Sequence, residues 1–371
     1  QEVADSNFDV LSTHYYTTLD KAVKDALLNR ELTEGKKPYF IGEFGLRNPL
    51  DTKALVDTVI NNGISGIMIW SLRGHARDGG FYQHSLSYRF PGFAADSTYH
   101  EKQIVDIMRA AAYRINGEPE PPLPLPDPPR LLDIKDVYDI SWQGSTGAAS
   151  YKIQRLTEGS YNWETIADSA TDAVPVFRPL YDDTTAQLGK SYFDRVIAQN
   201  SSGASAPSNI VGPVTVDYRK LVDELADTSK LLIASDSLKF ASPFSAVEAK
   251  YDFSRLEGAK GAYVIYEVPQ SIDSIMVEAF FTSGECGMNF FASDSLSTMK
   301  PIPAKLETFP PYSNHYGFYV PAMYTCGEFP AHSRYLKIEF NGGSELSRVE
   351  IIYSRIKEPN PDIVTLEQEQ K

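Results

Sequence analysis

Four side chains within the first 70 residues are of types that do chemistry when brought together: His14 and Tyr16 in "STHYY", Glu43 in "KPYFIGEFG" and Trp70 in "GIMIWS". A buried, unpaired glutamate is costly, so a Glu that closes a short apolar run has either a partner or a job. Side chains two apart on a strand share a face, so His14 and Tyr16 point the same way, as do Ile41 and Glu43, and Met68 and Trp70. A tyrosine hydroxyl can hold a carboxylate ionised by hydrogen bonding, and an indole offers a flat apolar face to sugar C–H groups. The plainer alternative is a strand-end Glu43 paired with Arg47 or Arg73, with Trp70 in the core.

The elements that must position these residues follow from periodicity. Residues 8–13, 38–43 and 65–71 are short apolar runs of strand length, rich in β-branched and aromatic residues. Between them, Val23, Ala26, Leu27 and Arg30 fall at helical spacing, as do Leu55, Val56, Val59 and Ile60, with Gly63 as a stop. A third helix is expected over 99–115. Strands alternating with helices imply parallel strands covered by helices. The segment 72–98 shows no periodicity and is too long for a simple connector. In it, Arg73, His75, Arg77 and Asp78 carry groups suited to sugar hydroxyls, or belong to a solvated loop with internal ion pairs.

Composition narrows the partners. A chain of 371 residues predicts two or three domains. Its net charge of −14 repels phosphate backbones and anionic lipid surfaces, so no nucleic acid partner is expected. The longest apolar run, near "GISGIMIW", is far short of the roughly 20 residues that span a bilayer, so no transmembrane segment is expected. Cys286 and Cys326 form one bridge or none, and lack the spacing of a zinc or redox site. His315 and His332 are isolated, so neither metal nor cofactor is expected. The first ten residues show no signal peptide.

Residues 118–129, "EPEPPLPLPDPP", hold seven prolines in twelve positions and read as an extended, semi-rigid linker. Beyond it, short alternating strands separated by Gly, Ser, Asn and Asp read as all-β. A second boundary is expected near 214–228, and the tail 358–371 is expected to be disordered.

The ordered series "STHYY", "KPYFIGEFG" and "GIMIWSLRGHARDGGFYQHS" resembles the last three strands of a glycoside hydrolase family 5 barrel, most of all its bacterial endo-β-mannanase-like members. The resemblance implies that Glu43 is the nucleophile, that His14 and Tyr16 contact it and the sugar, and that Trp70 is the platform of the reacting subsite. Arg73, His75 and Asp78 would then contact substrate. A retaining glycosidase also needs a second carboxylate about 5 Å away to protonate the departing oxygen. In this family that group belongs to an Asn-Glu pair, and no such dipeptide occurs in this sequence.

The expected fold class is therefore multidomain: a partial (β/α)8 barrel over 1–117, contributing its last three strand-helix units, followed by two all-β sandwich domains. The expected function is the C-terminal part of a retaining endo-β-glycan hydrolase acting on β-mannan or another neutral β-glycan. Such a piece would be inactive alone for want of the N-terminal barrel half. The resemblance also implies an extracellular, periplasmic or cell-surface setting. The alternative is a noncatalytic carbohydrate-binding or surface-display protein.

Residues 130–216 resemble a fibronectin type III domain through Trp142, Tyr151 and the run "SYFDRVIAQNSSGASAPS". The resemblance makes Trp142 a core ring and Tyr192 a corner tyrosine whose hydroxyl ties back to the backbone. Over 217–357 the texture resembles a galactose-binding-like or carbohydrate-binding sandwich, with Leu336, Ile338 and Phe340 alternating with Tyr335, Lys337 and Glu339. Tyr312, Tyr316 and Tyr319 either stack on a glycan or pack in the core.

Overall fold

The computed structural model describes residues 2–45, 47–82, 87–93, 100–175, 178–246, 248–250, 252–282, 286–309 and 317–356. The expected tail 358–371 lies outside them. In the first part, strands β1 (Leu11–Tyr15), β2 (Tyr39–Phe44) and β3 (Ile67–Ile69) alternate with helices α1 (Leu19–Thr33) and α2 (Pro49–Asn61). The strands pair in parallel in the order β1-β2-β3. Local chemistry sets the helix ends: the Asn48 side chain accepts from the Asp51 N–H at 2.9 Å and Pro49 opens the first turn of α2. The short strands β4 (Leu72–Arg73) and β5 (Tyr88–Arg89) form a separate parallel pair. Helix α3 (Glu101–Asn116) ends on Gly117 in the left-handed conformation.

One face of the parallel sheet is packed. Tyr15, Tyr39, Ile41 and Phe44 meet Leu55, Val56 and Val59 of α2 and Ala22 and Ala26 of α1. The alanines let α1 lie close to the sheet, so its buried line runs through Ala22, Ala26 and Thr33, whereas Leu27 is exposed.

The middle part contains β6 (Arg130–Leu131), β7 (Trp142–Gln143), β8 (Ser150–Thr157), β9 (Glu164–Ala170), β10 (Ser191–Asn200), β11 (Gly203–Ala204) and β12 (Val211–Thr215). The order β11-β10-β8-β9, with β12 also on β10, makes one antiparallel sheet, and β6 pairs with β7. Trp142 is fully buried with its ring 5.0 Å from that of Tyr151, and the Tyr192 hydroxyl accepts from the Gln187 N–H at 3.1 Å.

The last part contains β13 (Arg219–Asp223), β14 (Ile233–Ala234), β15 (Leu238–Phe240), β16 (Leu256–Gly258), β17 (Tyr263–Glu267), β18 (Ile272–Phe281), β19 (Met288–Ser293), β20 (Lys300–Pro301), β21 (Lys305–Thr308), β22 (Val320–Cys326), β23 (Tyr335–Phe340) and β24 (Ser344–Tyr353). A seven-stranded sheet built around β24, β18 and β22 packs on a five-stranded sheet built around β17, β23 and β19. Leu336, Ile338 and Phe340 point into the core between them.

The expectation of a partial (β/α)8 barrel is corrected by this architecture. Barrel closure requires strands that tilt and stagger continuously from one to the next. After β3 the chain instead leaves the sheet, β4 pairs with β5, and the three parallel strands remain an open sheet. With 37% of the chain in strands and 15% in helices, β-sandwich packing dominates the fold.

Asp194 on β10 is buried on the core side, and neither of its carboxylate oxygens has a hydrogen-bond partner among the described residues. Burial, reinforced by the neighbouring Asp183, pushes its carboxyl up to about 7. A proton held more tightly in the folded state adds stability that is complete below the unfolded value and is lost as pH rises to about 7. Melting of the wild type should therefore lose stability between pH 4.5 and 7 relative to Asp194→Asn, by up to roughly 1 kcal/mol per pH unit. Parallel calorimetric profiles for the two proteins would contradict this assignment.

Candidate functional site

Glu43 lies at the carboxyl end of β2, where strict alternation would place it on the packed face with Ile41. The register prevents this. Thr13 pairs with Ile41, His14 with Glu43 and Tyr15 with Phe44, so Gly42 is an extra residue in β2. Such a bulge re-aims the side chain that follows it. Ile41 and Phe44 both remain in the core, and Glu43 comes alongside His14 on the opposite, open face. A Cβ at Gly42 would stand 3.1 Å from His14 Nε2 and 3.3 Å from Ser12 Oγ, so a bare backbone is needed for His14 to lie there.

Glu43 is 26% exposed at its side chain and has two polar neighbours. The Tyr16 hydroxyl donates to Glu43 Oε2 at 3.0 Å, and His14 Nδ1 stands 3.3 Å from the same oxygen. Among the described residues, Oε1 accepts no hydrogen bond. Partial burial first, and then the Glu43 carboxylate, push the Tyr16 phenol up to about 12, so it remains a donor across the working pH range. The cluster is a carboxylate with one oxygen tied down and the other without a hydrogen bond among the described residues.

Trp70 follows β3 directly. Its N–H donates to Phe44 O at 2.8 Å, which fixes its backbone beside the end of β2. Gly45 sits between them: a Cβ there would meet Trp70 O at 3.1 Å and the Tyr16 ring at 3.8 Å. Ile67 and Ile69 pack towards the helices, whereas Met68 and Trp70 are 53% and 39% exposed. The structure thus brings His14, Tyr16, Glu43 and Trp70 to one edge of the sheet. Gly42 and Gly45 hold them in register. An isolated glycine in a strand pattern is their signal.

The other expected residues go elsewhere. Arg73 donates from Nε to Ser87 Oγ at 2.7 Å within the β4 and β5 region. His75 is largely buried, with Nε2 3.1 Å from Asp172 Oδ2 of the middle part and its ring 4.3 Å from Phe81. Asp78 is exposed in a turn. Tyr312 and Tyr316 lie outside the described residues. Tyr319 is half-buried, its N–H donates to Glu248 O at 3.0 Å, and burial and then Glu345 raise its phenol.

No protein-family model matches the chain. Among solved structures, it is similar to the twitchin kinase region from C. elegans at 27% identity, covering 26% of this chain and 18% of that one, with a TM-score of 0.20. It is similar to an endo-β-1,4-mannanase from Thermotoga petrophila at 14% identity, covering 57% and 49%, with a TM-score of 0.25. It is also similar to the C-terminal CBM6 of LamC from Zobellia galactanivorans at 11% identity, covering 36% and 100%, with a TM-score of 0.24. The chain therefore spans less than half the length of the twitchin and mannanase structures.

Glu43→Gln removes the charge that raises the Tyr16 phenol but leaves its burial. In a pH titration followed by tyrosine ring-carbon NMR, Tyr16 should fall from about 12 towards 10 without reaching it, because its burial remains. An unmoved Tyr16 resonance would show that the pair is not made in solution.

Proposed function

We propose that this chain is a modular, glycan-directed protein in which Glu43, Tyr16, His14 and Trp70 contact a neutral β-linked sugar. The observation that carries this reading is the juxtaposition of a half-tethered carboxylate with an exposed indole on an open sheet face. Carboxylate oxygens accept from sugar hydroxyls, while the ring covers the apolar C–H face of a pyranose. A divided module plan fits the three separate cores: the first carries this cluster, the second spaces, and the third offers another glycan surface. In the third, a cavity of about 300 Å3 is lined by Lys250, Glu278, Phe280, Phe309, Pro321 and Met323, with Phe309 exposed at its mouth.

A finer reading makes Glu43 the nucleophile of a retaining β-glycan hydrolase, with β-mannan as the substrate. It is favoured by one detail: Tyr16 and His14 both engage Oε2, which leaves Oε1 without a hydrogen bond among the described residues. Retention also requires an acid/base carboxylate at about 5 Å, so turnover depends on a group beyond the four residues of the cluster.

The full chain should bind soluble β-mannan weakly in calorimetry, and binding should survive high salt because screening does not weaken ring stacking. Trp70→Ala should weaken it about tenfold, corresponding to about 1.4 kcal/mol. No reducing ends should be released. Release of sugar that is abolished in Glu43→Gln would replace the binding reading with the hydrolytic one, and absence of binding to mannans, xylans and glucans alike would remove both.

A further inference from the structure

Between β9 and β10, the stretches Asp172–Pro175 and Arg178–Asp182 together touch all three cores. It is fastened to its own core by a backbone bridge between Tyr181 and Ile140, 3.0 Å in both directions, and by the Tyr151 hydroxyl donating to Asp172 Oδ2 at 2.7 Å. Towards the first part, the same Asp172 oxygen meets His75 Nε2 at 3.1 Å, and Arg89, whose Nε and Nη2 engage buried Glu101, donates from Nη1 to Ala173 O at 3.1 Å. Gly144 lies directly under the His75 and Asp172 pair, where a Cβ would stand 2.2 Å from Asp172 Oδ2 and 2.4 Å from the imidazole.

Towards the last part, Arg178 is inserted against the outer face of the seven-stranded sheet, with only 4% of its side chain exposed. Nη1 meets Glu224 at 2.8 Å, Nη2 meets Asp252 at 2.7 Å and Nε meets Glu278 at 3.0 Å, with Ser347 Oγ as a further partner of Nη2. Four residues on, Asp182 accepts from Arg348 Nη2 at 2.8 Å, and Arg348 also engages Glu350 and Glu224. The planar guanidinium serves three separately placed carboxylates, which a lysine ammonium at the end of a flexible stem does not match.

We infer that the stretches Asp172–Pro175 and Arg178–Asp182 form a brace that holds the three cores in one fixed arrangement, with Arg178 as its anchor on the outer sheet face of the last core. Removing a partner from a buried ion set leaves uncompensated charge, so the junction is either wholly made or wholly open. The brace also occupies the sheet face beside Glu278.

The test uses the full chain. In the wild type, the middle and last cores should melt in one calorimetric transition. Arg178→Ala should split that transition, lowering its first component by at least about 5 °C, and should enlarge the maximum dimension in solution scattering. Arg178→Lys should not restore either. Because Arg178→Ala could act by unfolding its own core, Asp252→Asn with Glu278→Gln attacks the same junction from the opposite side and should reproduce the split. Unchanged melting and scattering in Arg178→Ala would overturn the inference. So would a split in Arg178→Ala that the paired carboxamide variant does not share.

Discussion

A guanidinium surrounded by three carboxylates is the constraint on which the arrangement of this chain depends. Arg178, Asp252 and Glu278 have given up much of their hydration, with Glu224 at the exposed rim, and mutual attraction offsets the loss. Arg178 comes from a loop of one core, whereas Glu224, Asp252 and Glu278 come from the next. Separating the two cores would expose or strand all four groups at once. Sequence-local forces build each core; this one non-local set decides how two of them meet. The same loop then engages His75 and Arg89, so the orientation of the Glu43-bearing sheet is tied to it as well.

The candidate site depends on a second, smaller constraint, one extra residue in a strand. Without the bulge at Gly42, Glu43 would lie among Tyr39, Ile41 and the helices, where an unpaired carboxylate is expensive. With it, the core keeps Ile41 and Phe44, and the carboxylate reaches His14 and Tyr16. The bulge therefore reconciles packing with a polar group on a three-stranded sheet whose opposite face is fully used. Glycine at 42 is required because the imidazole occupies the space a side chain would fill.

Much of the secondary structure was legible because its causes are local. The apolar spacing of Leu55, Val56 and Val59 with Gly63 as a stop announces α2, and the alternation of Leu336, Ile338 and Phe340 announces β23. Glu43, Tyr16 and Trp70 could be singled out because polar and aromatic residues closing apolar strands are unusual. Their mutual placement could not be read from alternation, since alternation fails at a bulge. The barrel expectation failed for a related reason. Parallel pairing of β1, β2 and β3 follows from strand-helix alternation, but closure is a property of strands that lie far apart in sequence, and three strands do not specify it. His75 illustrates the limit most sharply: its type and loop suited a sugar hydroxyl, yet its partner Asp172 lies 97 positions away in the chain.

That misplacement of His75 has a physical consequence for the site. Trp70 and His75 belong to one short run of chain: the first stands beside the Glu43 cluster and the second is locked to the brace. The run is stiffened between them by the pairing of β4 with β5 and by Arg73 on Ser87. A rigid connection of this kind passes small displacements along rather than absorbing them, because packed and hydrogen-bonded segments deform little. The placement of Trp70 and the seating of His75 over Gly144 are thus joined through one stiff run of chain. Trp70 is positioned by the sheet at one end of that run, and His75 by the junction of the three cores at the other.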